Sequence, residues 1–137
     1  MAKIIVILEQ TDTGFSAYIP ELPITCTTGL DLKEVESNMR EALELYIEAL
    51  RDDDRPIPSL LKEDWEFDYR LDITDFFSLF APVKQTAVAL KAGINPSLLR
   101  QYARGIKHPS LRQAEKIEDA IHQLGRDLLK IRLLSGK

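Results

Sequence analysis

The sequence predicts an α+β protein of two unlike parts: a small sheet with one covering helix, in the order βββαβ, and then an all-α part. Three observations carry this. Strand-like apolar runs and alternations occur only before residue 74, interrupted by a single long helical stripe. From residue 75 onward the apolar period is helical. The charge also changes sign along the chain. Residues 1–80 hold 7 Lys/Arg against 18 Asp/Glu, a net of −11, and residues 81–137 hold 11 against 4, a net of +7. The whole-chain value of −4 conceals this division. Two surfaces of opposite sign suit two different partners, the basic one a polyanion. The acidic one suits a basic protein or is simply solvated. The parts are expected at 1–74 and 75–137, and with 45% hydrophobic and 29% charged residues the chain can bury two modest cores.

Taken in order, Lys3 to Glu9 (KIIVILE) is β-branched and apolar on both faces, as a central strand is. Thr11-Asp12-Thr13-Gly14 is turn chemistry, with Gly14 able to take positive φ. Phe15, Ala17 and Ile19 then alternate with Ser16 and Tyr18, completing a hairpin that Pro20 and Pro23 should end. Thr25 to Thr28 reads as a short third strand. Asp31 is an N-cap with Glu34 three residues on, and Val35, Met39, Ala42, Leu43, Tyr46, Ile47 and Leu50 form one apolar helical stripe. Glu34, Glu41, Glu44 and Glu48 lie opposite, and Asp52 to Pro58 stops the helix. Trp65, Phe67, Tyr69, Leu71 and Ile73 alternate with Glu66, Asp68, Arg70 and Asp72, a half-buried strand with Trp65 in its core face. Helices are expected at about 75–80, 83–91, 96–104, 110–123 and 126–134.

Within the basic part, Val83 to Pro109 reads VKQTAVALKAGINPSLLRQYARGIKHP. Val83, Ala87, Val88 and Leu90 suit the inner face of one helix, and Gly93 suits a left-handed corner. Asn95 is an N-cap and Pro96 a first helical residue; Leu98, Leu99 and Tyr102 are anchors for a second helix that Gly105 ends. Ser110 and Gln113 form a capping box for the next. A helix-turn-helix over Val83–Arg104 satisfies all of these at once. Asn95, Ser97, Arg100, Gln101 and Arg104 then face outward as candidate base readers, because Arg and Gln can pair bidentately with guanine and adenine edges. Lys84, Gln85, Lys107 and His108 flank them as candidate phosphate contacts. The competing reading is a helical bundle whose basic face is only solvated.

The residue types bound the remaining chemistry. Cys26 alone forms no internal disulfide, and with His108 and His122 it makes a poor metal set, so no metal or cofactor is expected. Cys26 lacks a basic neighbour to activate it and is read as a small buried or half-buried thiol. The run Ile4 to Leu8 is too short for a signal or a span, which makes the cytoplasm the default compartment.

Two resemblances sharpen the expectation. Val83–Ser110 resembles the helix-turn-helix of Cro-type phage repressors, with its A-G-I-x-P-S-x-x-R stretch; this implies Gln85 at the phosphate and Asn95 to Ser97, Arg100 and Gln101 at the reading end. Residues 4–50 resemble the HicB antitoxins through IIVILEQTDTGFSAYIPELP and TTGLDLKEVESNMREALELYIEAL. Many members carry Pro-Gly-Cys where this chain has Pro23-Ile24-Thr25-Cys26. The resemblance implies a partial ribonuclease-H-like module that blocks a HicA-like basic ribonuclease toxin. It also implies a C-terminal domain that dimerises and represses the operon by binding double-stranded operator DNA. It does not imply catalysis. Glu9, Asp12, Glu21 and Asp31 are the carboxylates available for a two-metal nuclease, but none falls inward at the middle of the first strand, so no catalytic residues are expected. The alternative is a solitary helix-turn-helix transcription regulator with an N-terminal ligand- or protein-binding module.

Overall fold

Ile4, Val6 and Leu8 are buried on one face of the first strand, β1 (Ala2–Gln10), while Ile5 and Ile7 are half-buried on the other. A strand apolar on both faces belongs inside a sheet, and β1 does lie between two neighbours. The computed structural model describes residues 2–136, the side chains of Pro23 and Ile24 excepted. Its sheet has the order β3-β2-β1-β4, where β2 is Phe15–Ile19, β3 is Leu22–Gly29 and β4 is Trp65–Arg70. β1–β2 and β2–β3 are antiparallel and β1–β4 is parallel. Helix α1 (Leu32–Asp52) provides the crossover from β3 toward β4, with a short 3-10 turn at Ser59–Leu61 on the way.

The register fixes which residues share the covered face. Ile4 pairs with Phe67, Val6 with Tyr69, and Leu8 with Ala17. Over this face α1 lays Val35, Met39, Leu43 and Leu50, all buried. Asp31 caps α1 by accepting the Glu34 N–H at 2.8 Å. Arg40 spreads its guanidinium over Trp65 and Phe67, 5.1 and 5.3 Å from the ring centroids, and pairs with Glu36 at 3.3 Å. Trp65 and Phe67 stand 5.1 Å apart. Burial pushes the Tyr69 phenol up to about 12; Glu36 adds to the rise and Arg40 opposes it.

Several local expectations are corrected. Gly14 is not at positive φ. It is needed because a Cβ there would sit 2.5 Å from the Gly29 carbonyl oxygen. Pro23 does not end the hairpin. The β2–β3 pairing steps from Ile19↔Leu22 to Tyr18↔Cys26, and Pro23 falls in that irregular stretch of an edge strand, where a missing N–H is tolerated. The fourth strand stops at Arg70, and Ile73 opens helix α2 (Ile73–Leu79), so the alternation through Leu71 outruns the strand. Cys26 is exposed, because it lies on the uncovered face of β3 beside Tyr18.

The chain divides into two compact units, Met1–Asp75 and Phe76–Lys137. In the second, α3 (Gln85–Ala92) packs against both α4 (Pro96–Ala103) and α5 (Leu111–Leu129). Val88, Ala89, Ile94, Leu99, Tyr102, Ile117 and Ala120 are buried. The inner face of α3 is therefore Val88 and Ala89; Ala87 and Leu90 are exposed, and Val83 precedes the helix. A break near residue 125 is not present. α5 runs continuously to Leu129 through Gly125, and no helix occupies 131–136. A single interior glycine costs a helix only about 1 kcal/mol. Here Gln123 also donates to Asp127 at 2.8 Å and accepts from Arg126 at 3.0 Å, spanning the position. No helix among the described residues is long and apolar enough to cross a membrane.

Candidate nucleic-acid interface

The corner between α3 and α4 is built from backbone geometry. Gly93 has φ 72° and ψ 33°, the left-handed conformation. Its N–H donates to Leu90 O at 3.3 Å, and the Ile94 N–H donates to Ala89 O at 2.9 Å. These two bonds close a Schellman turn, and the buried Ile94 side chain seals it against the helix it ends. Asn95 Oδ1 then accepts the Ser97 N–H at 2.8 Å and Pro96 takes the first turn, so α4 starts two residues after the corner. A second turn of the same kind ends α4: Gly105 N–H to Tyr102 O at 3.0 Å and Ile106 N–H to Gln101 O at 3.0 Å. Ser110 Oγ accepts the Gln113 N–H at 3.2 Å and opens α5.

The short helix α4 is thus held at both ends and pinned underneath by Leu99 and Tyr102. Its other side presents Ser97, Arg100, Gln101 and Arg104, at spacing i, i+3, i+4, i+7, the rows that share one helical face. Ser97, Arg100 and Arg104 are exposed and Gln101 is half-buried. Arg100 Nη2 donates to Ser97 Oγ at 3.0 Å, so the guanidinium is already steered along the face. Asn95 is exposed, but its Oδ1 is engaged in the cap, which leaves the Nδ2 amide as its outward donor.

Among the flanking residues, Lys84 is the exposed residue just before α3, and Gln85 is half-buried in its first turn. Lys107 and His108 are exposed in the loop after α4. The sequence reading passed over Arg112 and Lys116, both exposed in the first turns of α5. Their signal was the cap at Ser110, which places a basic residue two positions on in the first turn. Lys91 and Asp127 pair at 3.5 Å and tie α3 to α5. The Gln123 hydrogen bond and the Lys91 charge hold the Asp127 carboxyl below its ordinary range, against the opposing effect of burial.

The first unit carries acid rather than base. Glu34, Glu41, Glu44 and Glu48 are exposed along α1 and form no ion pair among the described residues. On the uncovered face of β4, by contrast, Glu66 pairs with Lys3 at 3.7 Å and Asp68 with Arg70 at 3.0 Å. Glu9, Asp12, Glu21 and Asp31 are all exposed, with Asp31 used as a cap. Among the described residues no three His, Cys, Asp or Glu side chains converge as a metal site would require.

A short helix braced on the one before it, ended and begun by tight turns and bearing Arg and Gln on its free face, is a helix-turn-helix DNA-binding domain. The comparison with known families agrees: a family model described as helix-turn-helix matches residues 83–124. This makes the chain a DNA-binding regulator of transcription in class. No curated protein matches the chain.

Proposed function

We propose that the chain is the antitoxin of a type II toxin-antitoxin pair. The second unit represses the operon by binding operator DNA as a homodimer or higher homo-oligomer. The first unit neutralises a HicA-like basic ribonuclease. The observation that carries the DNA half is the free face of α4. Ser97, Arg100, Gln101 and Arg104, with the Nδ2 of Asn95, read base edges in the major groove. Lys84, Gln85, Lys107 and His108 hold phosphates on either side. Arg100→Ala should lose ~1–3 kcal/mol and relax base preference, whereas Lys107→Ala should weaken all sequences alike and lower the salt slope. A full chain that binds no duplex DNA at low salt would defeat this half of the reading.

The toxin half is supported by the likeness of residues 4–50 to HicB antitoxins and by the net charge of −11 over residues 1–80. Of the acidic faces of α1 and β4, the outer face of α1 is the better candidate. Glu34, Glu41, Glu44 and Glu48 carry no internal counter-ion among the described residues, while the acids of β4 already have theirs. Such charges mainly speed encounter with a basic partner. In the test, the full chain is co-expressed with the small basic protein encoded beside its gene. Co-purification, with toxicity of the neighbour only in the chain's absence, supports the antitoxin. A harmless neighbour with no affinity leaves a solitary regulator instead.

A further inference from the structure

The sheet has two edge strands, and they are finished differently. β3 carries Pro23 and the register shift beside Tyr18 and Ile19, devices that spoil an edge for further pairing. β4 carries neither. Its six residues run in unbroken parallel register with β1, from Ala2↔Trp65 to Ile7↔Arg70. Every second residue of such a strand points its N–H and C=O away from that neighbour. Among the described residues no backbone hydrogen bond takes up these outer groups of β4.

The two sides of β4 differ in chemistry. Trp65, Phe67 and Tyr69 form a row with ring centroids 5.1 and 5.8 Å apart. They are only half-buried, although they lie on the side that α1 covers. Glu66, Asp68 and Arg70 occupy the other side. Residues 63–72 hold five acids, Glu63, Asp64, Glu66, Asp68 and Asp72, against the one base Arg70, a net of −4. Lys3 and Arg70 pair with Glu66 and Asp68. Glu63, Asp64 and Asp72, beyond the two ends of the strand, are exposed and in no ion pair among the described residues.

This charge decides what the edge can accept. A second copy of β4 would set five acids against five in either direction, and like charges facing each other across strands are destabilising. Nucleic acid is repelled by the same field, so the aromatic row is no platform for bases. An extended basic segment satisfies the free backbone groups, the aromatic row and the acids together.

We propose that β4 takes up a fifth strand from a basic protein partner. Alternate apolar side chains of that strand lie beside Trp65, Phe67 and Tyr69. Its basic side chains lie beside Glu66 and Asp68 and reach Glu63, Asp64 and Asp72 at the ends. Main-chain pairing supplies the hold and the alternating side chains the selection. The unpaired acids of α1 serve encounter, so the two acidic surfaces have separate tasks. The proposal rests on the reading of the first unit as the holder of a basic protein and adds where that protein's backbone is bound.

The full chain is titrated with a short blocked peptide alternating Lys and Val. Trp65 emission is the signal, because the single tryptophan opens β4. The peptide should shift that emission and slow hydrogen exchange of β4 amides. The same peptide N-methylated throughout has no backbone donors and should bind on the order of tenfold more weakly. A peptide alternating Glu and Val should not bind. Glu63→Lys, Asp64→Lys and Asp72→Lys together lie outside the strand; they should leave the circular dichroism spectrum unchanged and weaken binding on the order of tenfold. The same reversal at Glu41, Glu44 and Glu48 should weaken it less. No binding, equal binding of the N-methylated peptide, unchanged exchange at β4, or equal loss from the two reversals each overturns the proposal. The basic protein encoded beside the gene separates this from the antitoxin reading. If it co-purifies while β4 amides exchange as before, that reading stands and the added strand is refuted. If it has no affinity while the Lys-Val peptide binds at β4, the edge stands and the antitoxin reading is refuted.

Discussion

Two glycines in this protein are needed for different reasons, and the difference can be measured. Gly93 has φ 72° and nothing within 4 Å of where a Cβ would be. Gly14 is at no unusual φ, yet its Cβ would come within 2.5 Å of one backbone atom and 3.3 Å of two more. Gly93→Ala therefore carries only the left-handed penalty of ~1–2 kcal/mol, offset by ~0.4–1 kcal/mol from a less flexible unfolded chain, for a net loss of about 1 kcal/mol. Gly93→Asn should recover much of it, because Asn visits that conformation readily. Gly14→Ala must instead push the first turn away from the end of β3, an overpacking cost at the upper part of ~1–3 kcal/mol, and Gly14→Asn, which carries the same Cβ, should give no recovery. Gly125→Ala is the control. That position is helical with nothing within 4 Å, so it should stabilise α5 by about 0.8 kcal/mol. Denaturant titration of the full chain reads all of these. Fluorescence of Trp65, the single tryptophan, follows the first unit; helical circular dichroism follows both, because α1 is in the first, so the second is read from the part of that signal that does not move with Trp65. Gly93→Asn as damaging as Gly93→Val, or Gly14→Asn better than Gly14→Ala, would refute the assignment of conformational strain to one site and collision to the other.

Other perturbations have equally definite outcomes. The Tyr69 phenol is raised from 10.0 to about 12 in the fold, so between those values the unfolded chain releases a proton that the folded chain keeps; stability of the first unit should fall as pH rises through that window. Tyr69→Phe should flatten the fall at little cost at neutral pH, since the buried hydroxyl has no hydrogen-bond partner among the described residues, and alkaline titrations followed by Trp65 fluorescence would show it. Arg40→Ala should cost roughly 0.5–1 kcal/mol and alter Trp65 emission, whereas Arg40→Lys should restore charge but only part of the stability. Asp127 is held below 3.8, so its share of stability is present above that pH and lost on further acidification; Asp127→Asn should remove that part of the acid response of the second unit, read by helical circular dichroism.

The covered face of the sheet and both caps of α4 were legible in the sequence because each is a local rule. Alternation names Phe15, Ala17 and Ile19, and Asn95-Pro96 names a helix start. What escaped depends on neighbours distant in sequence. The collision that makes Gly14 obligatory involves Gly29, and the exposure of Cys26 follows from the absence of a second layer over its face. Alternation also persists where pairing stops: Leu71 and Ile73 continue the period after β4 has run out of partner residues on β1. In the site, spacing identified Ser97, Arg100 and Gln101 as one face, but not that the Ser97 hydroxyl holds the Arg100 guanidinium, which depends on rotamers. The inner face of α3 was misread because an eight-residue helix offers too few turns to separate Ala89 from Leu90 by period alone.

The sheet of the first unit is closed by its last strand, which lies against its first: Ala2 pairs with Trp65 and Ile7 with Arg70. During synthesis the hairpin of β1 and β2 can form early, but one whole edge of β1 stays bare until about seventy residues have emerged, and loop closure over that span is slow. The backbone amides and carbonyls of that edge stay unpaired for all of that time. A chain cut anywhere between α1 and Arg70 should therefore be a target for proteolysis rather than a weakened version of the whole, so the order of synthesis gives this unit an all-or-none lifetime.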